Sequence, residues 1–160
     1  MTSIQAVRSY SYDTNMRSHL PRPALSNHPV DVGHRTEAAV LAELVKRGYK
    51  VLLPFGVNQR YDLVLEHDGR FLKVQCKTGR LRRGVIQFSA VSTQSNTCET
   101  RVRGYDGEVD LFVVYCPENQ GVYAIPAEEV PFTGMYLRVE PPRNGQSKRV
   151  RWAREYELPA

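Results

Sequence analysis

The stretch RYDLVLEHDGRFLKVQCKTGR, from Arg60 to Arg80, predicts two β-strands joined by a tight turn. Polar and apolar residues alternate on both sides of Asp68-Gly69. An Asp-Gly pair between two such runs is typical of a two-residue type I′ turn, because that turn needs positive φ at both residues. If these residues form the turn, His67 pairs with Arg70, and the register of the hairpin is fixed.

This register predicts a polar cluster at one end of the hairpin. Asp62 falls opposite Gln75, and directly opposed side chains share one face with Cβ atoms about 4.5–5.5 Å apart. Lys77, two residues after Gln75, points to the same face. The opposite face collects an apolar core set, which comprises Leu63, Leu65, Leu72, Val74 and Cys76. A carboxylate, an amide and an ammonium group therefore meet on a hairpin whose other side is buried.

A second carboxylate is predicted on a helix that precedes the hairpin. Residues Pro29 to Arg47 have the apolar spacing of an amphipathic helix. Val40, Leu41 and Leu44 lie three, four and seven residues after Glu37, which places Glu37 on the apolar stripe. A carboxylate on that stripe costs several kcal/mol unless it is paired or bound to a cation. A position at the rim of the stripe, or an ion pair with an arginine, remains an alternative.

Together these residues predict a site for phosphodiester hydrolysis. A hard divalent cation with oxygen ligands neutralises phosphate charge and activates water. Asp62 and the side-chain oxygen of Gln75 are candidate ligands, with the Cys76 carbonyl as a third and Glu37 completing the first or second coordination sphere. Lys77 is expected to orient the attacking water and to offset charge in the transition state. The alternative is structural: a strand-terminal aspartate, a glutamine that satisfies backbone groups and a solvated lysine.

The whole-chain composition fits one cytosolic domain that binds a polyanion. The chain has 160 residues and a formal net charge of +5, which favours a nucleic-acid partner. Its three cysteines, Cys76, Cys98 and Cys116, are too few and too scattered for a disulfide framework or a zinc box. We therefore expect a reducing, cytoplasmic location. The sequence has neither an apolar run of the about 18–20 residues that a membrane span needs nor a secretory signal.

The chain is expected to divide into three parts. Residues 1–27 are rich in Ser, Asn, Arg, Tyr and Pro and predict a flexible N-terminal extension, or coding sequence upstream of a true start near Met16. Residues 28–140 form the folded domain, and residues 141–160 a C-terminal arm. Within the domain, Asp110–Cys116 is a near-continuous apolar run that predicts a central strand covered on both faces. Residues 92–108 are polar and broken by glycine, which predicts a loop.

Several segments resemble one nuclease family: Gly33-x-x-x-Glu37, Lys46-Arg47-Gly48-Tyr49-x-Val51, Pro54-Phe55-Gly56, Arg60-Tyr61-Asp62-Leu63-Val64 and Val74-Gln75-Cys76-Lys77-Thr78-Gly79-Arg80. Across residues 30–140 the chain resembles the PD-(D/E)XK nuclease superfamily, and within it the group I intron-associated homing endonucleases. These enzymes also carry Gln where most of the superfamily has Glu. They share a Tyr-x-Gly-x-x-Asp-x-Phe-x-Val-Tyr-Cys-Pro segment, here Tyr105 to Pro117.

The resemblance implies an α/β fold with a restriction-endonuclease-like αβββαβ core, in which helices flank a mixed sheet. It also implies Mg²⁺- or Mn²⁺-dependent cleavage of double-stranded DNA by a homodimer or homotetramer, with no membrane partner. The catalytic residues would be Glu37, Asp62, Gln75 and Lys77, of which Glu37, Asp62 and Gln75 would bind the metal.

DNA contact is expected from arginines near this centre. The basic turn supplies Arg80, Arg82 and Arg83, and Arg60, Arg101 and Arg103 lie nearby in sequence. Such residues would position the phosphate backbone rather than read bases; solvated charges are the alternative. Two other functions remain open: a Holliday-junction resolvase, whose family usually keeps Glu at the Gln75 position, and an inactive nucleic-acid-binding module with the same fold.

Overall fold

The computed structural model describes residues 24–56, 58–95, 99–141 and 148–159. Within these ranges the chain forms one α-helix, a series of β-strands and two short 3₁₀ helices, Ala127–Glu129 and Ala153–Glu155. Helix α1 spans Pro29–Lys46. The strands are β1 (Lys50–Leu52), β2 (Leu63–His67), β3 (Arg70–Thr78), β4 (Arg80–Arg82), β5 (Val85–Ser89), β6 (Ser92–Ser95), β7 (Thr100–Arg103), β8 (Leu111–Cys116), β9 (Gly121–Pro126) and β10 (Gly134–Arg138).

The predicted hairpin is present in the predicted register. Strands β2 and β3 pair antiparallel with His67 opposite Arg70. Asp68 and Gly69 have φ of 49° and 72°, as a type I′ turn requires. This hairpin belongs to a five-stranded sheet of order β1-β2-β3-β8-β9, in which β3 and β8 are parallel and the other pairs antiparallel. The predicted α/β class with a mixed sheet is confirmed.

The two faces of this sheet are covered by different elements. On one face, Val40 and Leu44 of α1 pack on a buried cluster that includes Leu63, Val74 and Val113. On the other face lies a second sheet of order β10-β5-β4. Its apolar side chains pack on those of β8 and β9 in a cluster that includes Ile86, Phe88, Phe112, Val114, Ile125, Met135 and Leu137. The prediction that β8 is a central strand covered on both faces is therefore confirmed.

Two segments differ from expectation. Residues 92–108 were expected to form a loop, but Ser92–Ser95 and Thr100–Arg103 pair with each other as a separate two-stranded ribbon. Strand β7 is exposed along its whole length, so it lacks the alternation that marks a half-buried strand. In the αβββαβ order a second helix would precede β8; in the described part of this chain, β4 to β7 occupy that interval.

The C-terminal segment packs against the sheet. Ala153 and Leu158 are buried, and the backbone of residues 156–158 bonds to β9 through Ala124 N–H to Tyr156 O (2.7 Å) and Leu158 N–H to Val122 O (3.4 Å). Residues 1–23 of the expected N-terminal extension, and Cys98, lie outside the described residues. No helix in the described ranges is long and apolar enough to span a membrane.

Candidate active site

Asp62 and Gln75 meet at the start of the β2–β3 hairpin, where the sequence placed them. Asp62 lies immediately before β2, and its N–H donates to Val74 O at 2.8 Å. Its Oδ2 accepts hydrogen bonds from Gln75 Nε2 at 2.5 Å and from Cys76 N–H at 2.7 Å. Gln75 Nε2 is also 3.4 Å from the Cys76 carbonyl oxygen. A carboxylate, an amide and a main-chain carbonyl therefore converge on one point.

Glu37 approaches this point from α1. The fully buried positions of the helix are Thr36, Val40 and Leu44, so Glu37 lies at the rim of the stripe and is only partly buried. Burial raises the pKa of Glu37, and the negative charge of Asp62 raises it further, while His34 acts in the opposite direction. The two carboxylates are thus close enough to repel each other.

The charged form of the Asp62 carboxyl is disfavoured despite its hydrogen bonds. Burial raises the pKa of its carboxyl, although the Cys76 N–H bond, the charge of Lys77 and the Gln75 amide each lower it. The neighbouring Cys76 thiol is affected by the same groups. Burial raises its pKa first, the charges of Asp62 and Glu37 raise it further, and Lys77 lowers it. One small volume therefore contains two carboxylates and one ammonium group.

The Lys77 ammonium group is held to one side of this volume. Its Nζ donates to the Val91 carbonyl at 3.2 Å and to the Tyr105 hydroxyl at 3.1 Å, and it lies 4.5 Å from the centre of the Tyr105 ring. Lys77 acts on Asp62 through space rather than through a contact. An ammonium group has three N–H donors, so one remains for a substrate or a water.

The candidate ligand set fits a hard divalent cation. Its donors are oxygens: the carboxylates of Glu37 and Asp62, the Cys76 carbonyl and the side-chain oxygen of Gln75. Oxygen ligands suit Mg²⁺ and Mn²⁺. The Gln75 amide presents its nitrogen to the other oxygens here, and a half-turn of the amide presents its oxygen instead. Within the described residues no three His, Cys, Asp or Glu side chains form a metal-binding group, so the amide and carbonyl oxygens would be needed.

A cleft of about 1030 Å³ opens beside Asp62 and Gln75. One wall is the ribbon β6–β7, from which Arg101 and Arg103 line the cleft, and the other is the loop through Asn58 and Gln59. Arg101 and Arg103 are exposed. Arg101 pairs with Glu99 at 2.9 Å. The cleft thus joins the carboxylate cluster to basic side chains.

Arg60 also lines the cleft, but its hydrogen bonds are made within the protein. Its Nε donates to Glu108 at 2.6 Å and its Nη1 to the Ser92 hydroxyl at 3.0 Å. Its Nη2 donates to the Gly104 carbonyl. Arg103 donates to the same Glu108 carboxylate, and Arg60 lowers the pKa of Glu108. Ser92 pairs with Arg103 at one end of the ribbon, so Arg60 ties the segment that precedes Asp62 to this end.

The other three predicted DNA-binding arginines lie outside the cleft. Arg80 and Arg82 are on β4 rather than in a turn, and Arg80 is 3.8 Å from Glu118. Arg83 and Gly84, with φ of 50° and 72°, form the two-residue turn between β4 and β5. These three side chains are exposed, and none is among the residues that line the cleft beside Asp62.

The sequence reasoning assigned no role to Tyr105 and Glu108, which the structure places beside the site. Tyr105 contacts Lys77, and Glu108 bridges Arg60 and Arg103. Both belong to the segment Tyr105–Pro117. The signal that could have found them is an aromatic residue, a glycine and an acid placed just before the central strand β8. In the same segment Asp110 accepts the Lys73 N–H at 2.7 Å, which fixes the start of the parallel β3–β8 pair.

The chain is similar to known endonucleases in sequence and in fold. Residues 27–159 match the family described as PD-(D/E)XK endonuclease. A solved structure titled as that of a bacterial homing endonuclease, I-Ssp6803I, is similar with a TM-score of 0.64 and 24% sequence identity, covering 82% of this chain and 89% of that one. No curated protein matches. The predicted superfamily and restriction-endonuclease-like fold are confirmed.

Proposed function

Because the chain belongs to the PD-(D/E)XK endonuclease family, we propose that it is a divalent-metal-dependent endonuclease that hydrolyses phosphodiester bonds in double-stranded DNA. The observation that carries this proposal is the convergence of three groups beside an open cleft: Gln75 Nε2 lies 2.5 Å from Asp62 Oδ2 and 3.4 Å from the Cys76 carbonyl oxygen. Glu37 adds a second carboxylate and Lys77 an ammonium group.

Each residue has a distinct task in this proposal. Asp62 and Glu37, with the oxygens of Gln75 and Cys76, would hold Mg²⁺ or Mn²⁺. When bound, the cation would neutralise phosphate charge and lower the pKa of a coordinated water. The free N–H of Lys77 would point to the attacking water or to a phosphate oxygen, where it would offset the charge that develops in the transition state. Gln75 contributes no charge, so the site carries two formal negative charges from Asp62 and Glu37.

The DNA would lie along the ribbon β6–β7. Arg101 and Arg103 line the cleft and are exposed, so we propose that they contact phosphates next to the scissile bond. Arg60 is proposed to act mainly by holding the ribbon, because its guanidinium group already donates to Glu108, Ser92 and Gly104. Arg80, Arg82 and Arg83 would contact DNA only outside the cleft. We further propose that the protein acts in the cytoplasm as a homodimer or homotetramer. Such an oligomer would bind a long target site of the homing-endonuclease type.

A plasmid-nicking assay tests the proposed activity. Supercoiled DNA is incubated with the protein in Mg²⁺, in Mn²⁺ or in EDTA. We expect relaxed or linear product with either metal and none in EDTA. Asp62→Asn should lower the rate by at least about a hundredfold, the magnitude typical of losing a group that stabilises transition-state charge. Asp68→Asn is the matched control, because Asp68 is exposed at the hairpin turn and Asn tolerates its positive φ.

The outcomes separate the proposed enzyme from the other two functions. Salt-sensitive DNA binding without nicking by the wild-type protein would indicate an inactive binding module. Cleavage restricted to four-way junctions would indicate a resolvase. Equal nicking by the wild type, Asp62→Asn and Lys77→Ala would point to a contaminating nuclease and would remove the support for this site.

A further inference from the structure

We propose that Tyr105, which lines the cleft, is a positioning residue for cleavage that holds the Lys77 ammonium group apart from Asp62. The inference rests on the proposed nuclease function. It concerns a residue that the sequence motif does not place in the catalytic set, 28 positions from Lys77 along the chain.

The first support is the contact itself. Two of the three N–H groups of the Lys77 ammonium donate hydrogen bonds, to the Val91 carbonyl oxygen and to the Tyr105 hydroxyl. Nζ also lies over the Tyr105 ring, 4.5 Å from its centre. A hydrogen bond to a charged donor and a cation–π contact from one residue fix both the distance and the direction of Nζ. Val91 contributes only a main-chain carbonyl, so Tyr105 supplies the side chain that sets this position.

The second support is the rigidity of Tyr105. The residue is 8% exposed, and its ring packs edge-on against Phe112, with 5.6 Å between centroids and planes at 90°. The Arg60 guanidinium lies 4.1 Å from the same ring centre, and Arg60 is itself fixed by Glu108. A ring held by these contacts can hold Lys77 in turn, since a side chain locked by packing is pre-organised for its task.

The third support is that the contact with Tyr105 keeps Lys77 from pairing directly with Asp62. A flexible lysine beside a partly buried carboxylate gains most by pairing with it directly. Lys77 instead bonds to Tyr105 and Val91 and acts on Asp62 through space. Lys77 and Asp62 are therefore not directly paired. Direct pairing of Lys77 with Asp62 would fill the volume that water, phosphate and cation need.

The test is a comparison of Tyr105→Phe with Lys77→Ala and with the double variant. Tyr105→Phe removes the hydroxyl but keeps the ring and its packing on Phe112. Single-turnover nicking of supercoiled plasmid in Mg²⁺ gives the rate of the chemical step, fluorescence anisotropy gives the Kd for duplex DNA, and thermal denaturation gives the Tm. Tyr136→Phe is the matched control, because its hydroxyl also accepts a hydrogen bond, from Gln87, but lies on the outer strand β10.

We expect Tyr105→Phe to lower the single-turnover rate about tenfold, as befits one hydrogen bond to a charged group, with Kd unchanged and a cooperative thermal transition that shows a folded protein. In the Lys77→Ala background the same change should have no further effect, because the ammonium group that it positions is gone. A rate equal to wild type in Tyr105→Phe, or a loss of the same factor with and without Lys77, would overturn the inference. Wild-type protein that does not nick would overturn the proposed function instead.

Discussion

The hydroxyls of Thr36 and Thr78 are 2.6 Å apart and join α1 to β3 by a side-chain hydrogen bond. Thr36 precedes Glu37 on the helix, and Thr78 follows Lys77 on the strand. The bond therefore sits next to both charged residues at the point where their two elements touch. It fixes how far along β3 the helix lies, and with it the approach of Glu37 to Asp62.

Thr36→Val should destabilise the protein by about 1–3 kcal/mol, because the Thr78 hydroxyl loses its partner at a site where Thr36 is only 3% exposed. Thr78→Val should have a similar effect for the same reason. The double variant should be less destabilised than the sum of the two, since no hydroxyl is then left unpaired. Urea denaturation of the four proteins measures the free energies of unfolding, and strictly additive losses would contradict a shared bond.

Two glycine-to-alanine changes should act in opposite directions. A Cβ at Gly79 would lie 2.7 Å from Ile86 Cγ2 and 2.9 Å from Val114 Cγ1, so Gly79→Ala should cost about 1–3 kcal/mol through overpacking. A Cβ at Gly33, in helix α1, meets no atom within 4 Å, so Gly33→Ala should stabilise by about 0.5–1 kcal/mol. Chemical denaturation, with its midpoint and slope, measures the free energy of unfolding of each variant. If Gly33→Ala also destabilised the protein, the helix would need Gly33 for another reason.

The hairpin and its register could be predicted from sequence because their determinants are local. Asp68-Gly69 fixes the turn, and the turn fixes that Asp62 meets Gln75. The central strand could also be predicted, because the apolar composition of residues 110–116 reflects burial on both faces. Local patterns of this kind were therefore enough to bring together the candidate metal ligands Asp62 and Gln75.

The surroundings of the site could not be predicted, because they depend on contacts between distant segments. The contact of Tyr105 with Lys77 spans 28 residues, and that of Arg60 with Glu108 spans 48. The ribbon β6–β7 pairs only with itself and leaves β7 exposed, so it needs no apolar alternation. Polar strands of this kind resemble loops in sequence, and here such a segment forms a wall of the cleft.

Glu108 should give the protein an acid-sensitive element of stability. Its bond to the Arg60 guanidinium lowers the pKa of Glu108 below the ordinary value of 4.5. The lowered value means that the folded state favours the charged form, so the contribution is complete above about pH 4.5 and is lost as the pH falls through the folded-state pKa. Glu108→Gln should therefore flatten the decline of stability on acidification below about pH 5.

Thermal denaturation across this pH range measures the effect. Glu128→Gln, at an exposed carboxylate, is the control for the loss of one charge. Parallel curves for wild type and Glu108→Gln would contradict a stabilising role for the bridge between Arg60 and Arg103. Since Arg60 ties the ribbon to the strand beside Asp62, Glu108→Gln should also increase proteolytic nicking within the ribbon at neutral pH.

Divalent cations should stabilise the protein in the absence of DNA. Burial raises the pKa values of Glu37 and Asp62, and the negative charge of Asp62 raises that of Glu37 further. A cation bound between these carboxylates favours their charged forms and relieves these costs. When Mg²⁺ is at ten times its Kd, the gain is about 1.4 kcal/mol, which appears as a higher Tm than in EDTA. Asp62→Asn should lose most of this gain, whereas Asp68→Asn should keep it. An equal Mg²⁺ effect on all three proteins would mean that the cation binds elsewhere, and no effect on the wild type at millimolar Mg²⁺ would mean that these oxygens form no metal site without DNA.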